Sequence, residues 1–134
     1  MEDEKQVQSE QTRASFEREE DFVALYANNV ILEGNALDLK LIFGELEQHT
    51  GGAVVSQHTS VTIPWPTAKL LTYYLQVFMA DYEAQNGKIR MPLSSIPPLI
   101  PIPNEAPPRQ QKVIELAQTL HHQLVADIAK PETD

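Results

Sequence analysis

Residues 37–44 read LDLKLIFG, with Leu37, Leu39, Leu41 and Phe43 at every second position and Asp38, Lys40 and Ile42 between them. Successive side chains of a strand point to opposite faces, so this alternation puts four apolar groups on one face. The spacing predicts a half-buried strand that Gly44 closes. Gly34-Asn35 just before it is a turn signal, and Phe22 to Leu32, aromatic and branched without a helical period, predicts a first strand. On the other side, Gln48 to Gly52 reads as a loop, and Val54 to Ile63 puts Thr59, Val61 and Ile63 on one face and His58, Ser60 and Thr62 on the other. Pro64 has no N–H to donate and ends this third strand. Short links between consecutive strands predict an antiparallel meander of three strands, four at most, whose apolar face needs a covering layer.

A helix from about Pro66 to Gln85 is the expected layer. Pro66 suits its first turn and Asn86-Gly87 its C-terminal cap. Leu71, Tyr74, Leu75, Phe78 and Tyr82 form the main stripe, yet Leu70, Tyr73, Val77 and Met79 carry apolar surface well beyond it. Only Lys69, Thr72, Gln76 and Glu83 remain as a polar strip, so the helix should pack against two things. Residues 91–108 hold seven of the ten prolines and predict an extended, polyproline-like connector, whose interleaved Ile and Leu should lie against the domain. From about Arg109 to Ala129 a second helix presents Val113, Leu116, Leu120 and Leu124, widened by Ile114, His121, Val125 and Ile128. The whole reads as an α+β fold: a tail over 1–21, a sheet-plus-helix domain over 22–90, the connector over 91–108, and a C-terminal helix over 109–130 packed on the same domain or a neighbouring subunit.

The 134 residues fit one modest core, and the net charge of −9 argues against nucleic acid, whose affinity comes from Lys and Arg displacing counterions. The same charge opposes an anionic membrane, and no stretch approaches the roughly 20 apolar residues of a bilayer span. More than half of the charge lies in residues 1–21, where eight acids face three bases; a disordered tail is expected there, with nascent helix near Phe16 to Glu20. The N-terminus lacks the basic-then-apolar order of an export signal, so the cytoplasm is the expected compartment. The absence of cysteine excludes disulfides, thiolate nucleophiles and cysteine-based metal sites.

The remaining candidate chemistry is sparse. His121 and His122 are adjacent on a helix and point about 100° apart, unlike ligands one turn apart, and His49 and His58 have no matching pair, so no metal or cofactor is expected. Asp81 and Glu83 cannot converge from one helix, and Gly51-Gly52 lacks the lysine of a phosphate cradle. Asp38 beside Lys40 reads as part of a cross-strand charge pair, and Asn28-Asn29 as a bulge or bend. Trp65, held between Pro64 and Pro66, is either a packed hinge or an exposed anchor for a partner.

Tyr26-Ala27-Asn28-Asn29-Val30, Asp38 through Phe43-Gly44, the Ile63-Pro64 strand end with Ala68-Lys69-Leu70-Leu71, and Tyr82-Glu83 resemble a family of short prokaryotic proteins known only as a domain of unknown function. The resemblance covers roughly residues 22–90 and implies a fold without an activity. A fainter one is to the SecB-type export chaperones, through Pro64 to Ala68 with the following lysine, the Gly87-Lys88-Ile89 helix exit and the proline-bearing loop; it implies acidic oligomers with a chaperone or adaptor role.

The function expected from all this is a non-enzymatic interaction module, a homo-oligomeric dimer or tetramer that could hold a protein or peptide partner. Trp65, Leu70, Tyr73, Val77 and Met79 are its candidate interface, unless the C-terminal helix of the same chain covers them. The rival is a small ligand-binding regulator or enzyme with a polar site near Asn28 and Asp38 and a histidine.

Overall fold

The structure, a computed structural model, describes residues 14–99, 101 and 103–129. Three antiparallel strands come first, β1 (Asn29–Gly34), β2 (Asp38–His49) and β3 (Gly52–Pro64), in the order β1-β2-β3. Helix α1 (Trp65–Asn86), a single 3-10 turn (Leu93–Ser95) and helix α2 (Pro108–Ala129) follow. This is the α+β meander with a long helix, connector and terminal helix that the alternation and proline pattern predict. The chain divides into two units, residues 1–63 with the sheet and 64–134 with the helices.

The β1–β2 ladder runs from Asn29 opposite Gly44 to Gly34 opposite Leu39. Its hairpin forms where Gly34-Asn35 predicts a turn, because the Asn35 side chain organises it: Asn35 Oδ1 accepts from Leu37 N at 2.8 Å and Asp38 N at 2.9 Å, while Asn35 N donates to Asp38 O at 3.0 Å. Asparagine supplies such local bonds more readily than most residues, which is why it favours turns. Leu39, Leu41 and Phe43 are half-buried, but so are Asp38 and Ile42 on the opposite face, so burial does not follow the alternation, and Leu37 belongs to the turn and is exposed.

Four local expectations need correction. Phe22 to Asn28 is irregular, and β1 starts only at Asn29; strand-forming composition by itself does not make a strand. Gly44 does not close β2, which continues to His49. Gln48 to Gly52 contributes only a two-residue turn, with β2 and β3 extending into it. Near Phe16 to Glu20 there is no helix, only one turn closed by Phe22 N donating to Glu19 O at 3.0 Å, with the Arg18 guanidinium 4.7 Å over the Phe22 ring. Most of the acidic tail lies outside the described residues.

In the second unit, α1 begins at Trp65 with Pro66 in its first turn, where the missing N–H costs nothing. It ends at Gly87, whose φ of +83° favours glycine and whose N–H donates to Glu83 O. The connector returns along α2. Lys88 Nζ donates to Asp127 Oδ1 at 2.6 Å near the end of α2, and Pro97 O accepts from His121 Nε2 at 2.9 Å one to two turns nearer its start. Ile96, Pro97, Pro98 and Leu99 face Ala117, Leu120, His121 and Leu124 across a narrow groove, so Ile96 and Leu99 lie opposite α2. At the start of α2, Gln111 Nε2 donates to Ala106 O at 2.7 Å. Among the described residues, Ala106 and Ile114 are the only large or small apolar side chains that become buried.

Candidate functional site

The polar candidates Asn28 and Asp38 do not converge. The ladder register puts Asn28 beyond one end, beside Gly44, and Asp38 at the other, beside the Gly34–Leu39 pair. Five steps along a strand separate those ends, about 17 Å. Asp38 is occupied by the hairpin turn through its own backbone. The cross-strand charge pair forms between Lys40 and Glu33, which face each other in the register, with Nζ and Oε2 4.0 Å apart and both exposed. An exposed pair at that distance contributes under about 1 kcal/mol.

Asn28 is instead part of a fastening at the other end of the sheet. Its N–H donates to Gly44 O at 3.1 Å while Asn29 is the register partner of Gly44, so two residues of one strand oppose one of the next, as at a β-bulge. Its side-chain Oδ1 accepts from Leu46 N at 2.7 Å, extending the ladder after the backbone of the first strand has turned away. All of this occurs without left-handed backbone, since no non-glycine residue among those described has positive φ. Gly44 itself is needed because β3 runs very close: a Cβ there would lie 2.6 Å from Ser56 O and 3.0 Å from Gln57 Cα.

His58 of β3 completes this end. Its Nε2 donates to Tyr26 O at 2.9 Å, and its Nδ1 pairs with Thr59 Oγ1 at 2.8 Å, so both ring nitrogens are engaged. In the sheet order, that bond joins β3 to the segment leading into β1, with β2 between. Tyr26, Asn28, Asn29, Phe43 and Gly44 are thus motif residues drawn together by structure, through the backbone and, for Asn28, also through its side-chain bond to Leu46 N. Reading the sequence alone misses His58 in this role; its contact with Tyr26 spans 32 positions.

The other histidines are likewise apart. His49 Nε2 lies 3.3 Å from Glu47 Oε2 on the exposed end of β2. His121 holds the connector, with its Nδ1 shielded from solvent and unpaired, and its ring meets that of His122 edge to face at 6.1 Å. No group of three or more potential metal ligands occurs among the described residues. Lys88 sits between Glu83 Oε2 at 3.8 Å and Asp127 Oδ1 at 2.6 Å, and its bond to Asp127 raises its pKa above the usual lysine value.

The candidate interface on α1 is exposed throughout. Trp65, Leu70, Tyr73, Val77 and Met79 all lie open, as do Tyr74, Leu75, Phe78 and Tyr82, and no residue of α1 is buried. Phe78, in the middle of the predicted main stripe, is 73% exposed. The Tyr73 and Tyr74 rings stand 5.6 Å apart, tilted by 59°. Beside them a shallow depression of about 830 Å³ opens between Leu75, Phe78, Met79 and Tyr82 of the helix and Lys88, Ile89 and Arg90 of its exit. Neither α1 nor any other helix among the described residues is long and apolar enough to cross a membrane.

No curated protein and no solved structure matches the chain, so the faint likeness to SecB-type chaperones gains no support. One family model does match, over residues 1–91, which include every motif residue gathered at the Gly44 end of the sheet and the whole of α1. The chain belongs to the family described as Protein of unknown function (DUF3467).

Proposed function

We propose that this chain is a non-enzymatic protein-interaction module that works as a homo-oligomer, a dimer or tetramer, with α1 at the subunit contact. The carrying observation is the circumference of that helix. Successive helical residues turn by about 100°, so Tyr73, Val77, Leu70, Tyr74, Phe78, Leu71, Tyr82, Leu75 and Met79 sweep an apolar arc of about 240°. Within the helical unit, with α2 and the connector in place, eight of these nine side chains are still exposed. A soluble helix seldom leaves such a surface in water, because each half-covered large side chain forgoes roughly 1 kcal/mol of burial. Tyrosine and methionine are also over-represented where subunits meet.

Light scattering at micromolar concentration tests this directly. The expected mass is that of two or four chains. A strict monomer would remove the reason for treating α1 as an interface.

A further inference from the structure

We infer that the free edge of β3 pairs antiparallel with β3 of a second copy, joining two three-stranded sheets into one of six strands across a two-fold axis. This rests on the homo-oligomer reading above and adds a second contact, distinct from α1.

The grounds lie in what this edge lacks. β3 is an outer strand of thirteen residues, about 44 Å long, and no strand among those described pairs with its far side. About half of its residues direct N–H and C=O groups outward, an open template for another strand. Proteins that keep such an edge unpaired blunt it by shortness, charge, proline or a bulge. The opposite edge follows that practice: β1 has only six residues and carries Glu33. β3 is twice as long, has no proline before its last residue, and contains no Asp, Glu, Lys or Arg.

The uncharged stretch extends from Gln48 to Ala68, 21 residues in a chain that is 22% charged and carries a net −9. That charge selects the occupant. Across a two-fold axis perpendicular to the sheet, the residue at the axis faces its own counterpart and every other residue faces one equally far beyond the axis, so an acid at the axis would meet another acid. A strand without acids, such as β3, lets an acidic chain pair with its own copy without setting like charges opposite each other. The residues that are present suit cross-strand contacts: Val54 and Val61 are exposed, with Thr59, Thr62 and Ile63 beside them.

Cysteine scanning tests the pairing without background, because the chain has no cysteine of its own. Ala53→Cys, Gln57→Cys, Ser60→Cys and Thr62→Cys sample both faces of β3, and Leu32→Cys on β1 is the control; all five sites are exposed. Under mild oxidation of the full-length protein, the site nearest the axis should form covalent dimer roughly tenfold faster than the control, since pairing holds like thiols at millimolar effective concentration. Sites further along should fall away on either side. Uniformly slow crosslinking along β3, at the rate of the β1 control, in a protein that light scattering finds dimeric or tetrameric would overturn the edge pairing and leave the α1 contact standing. A monomer in light scattering would overturn both.

Discussion

The Gly44 end of the sheet and helix α1 are both places where motif residues gather, and they are built on opposite terms. At Gly44 three residues have a reason inside their own unit: Asn28 completes a ladder, Gly44 makes room for Ser56, and His58 ties Tyr26 with both ring nitrogens engaged. On α1 the large apolar side chains stay open, with Phe78 and Tyr73 73% and 60% exposed. The contrast separates two reasons for a residue pattern. Polar atoms with directional needs reveal their purpose within one chain. Non-directional apolar surface only states that something must cover it.

The largest expected effect comes from breaking the α1 side. Tyr73→Glu with Met79→Glu places charges in a contact that must shed water, at several kcal/mol in association, or about a thousandfold in Kd. Light scattering across a dilution series should find the variant dissociated where the wild type is assembled, with the far-ultraviolet circular dichroism of α1 retained. An unchanged mass would assign the apolar arc a role other than self-association.

The self-contained side is broken most sharply at Gly44. Gly44→Ala brings a Cβ to 2.6 Å from Ser56 O, so β2 and β3 must move apart at the point where Asn28 and His58 depend on their spacing. A loss of about 2 to 3 kcal/mol is expected, read as a lowered midpoint in urea unfolding. A midpoint equal to the wild type would mean that the strands tolerate the extra methyl and that the glycine is there for another reason.

The smallest effect sharpens the comparison within the helical unit, where Lys88 supplies a directional contact between the α1 exit and α2. Its pKa is raised in the folded protein by the Asp127 bond, so the stabilisation is fully present below the ordinary lysine value of 10.5 and fades as pH rises through the raised value. Asp127→Asn should therefore unfold at slightly lower temperature than the wild type at pH 8, with the gap closing above that window. A gap that stays constant into strong alkali would mean that the bond does not depend on the ammonium charge.

The family-like motifs could be read from the sequence, but their purpose could not. Asn28-Asn29 reads as a bulge because asparagine competes for backbone bonds, and the register bears this out. Gly44 reads as a strand end because glycine breaks local patterns; its true cause, the approach of Ser56, lies twelve residues away. His58 gives no local sign of its bond to Tyr26, because nothing in a strand's period reports on what lies two strands over. Phe22 to Asn28 has strand composition yet stays irregular, since a strand needs a continuous ladder with another backbone, and the described ladder begins at Asn29.

What the amino-acid sequence determined by itself was everything that depends on neighbours a few positions apart. It set the alternation of β2, the Asn35 turn, the proline start and glycine end of α1, and the proline-bound connector. Those features follow from dihedral limits and side-chain period, which act within a single turn or pleat. Tertiary structure alone decided where β1 begins, why Gly44 is glycine, which acid Lys40 meets, and which histidine secures which carbonyl. Each of these depends on register or on contact between distant segments, and a shift of one residue in pairing would exchange every partner while leaving the local pattern unaltered.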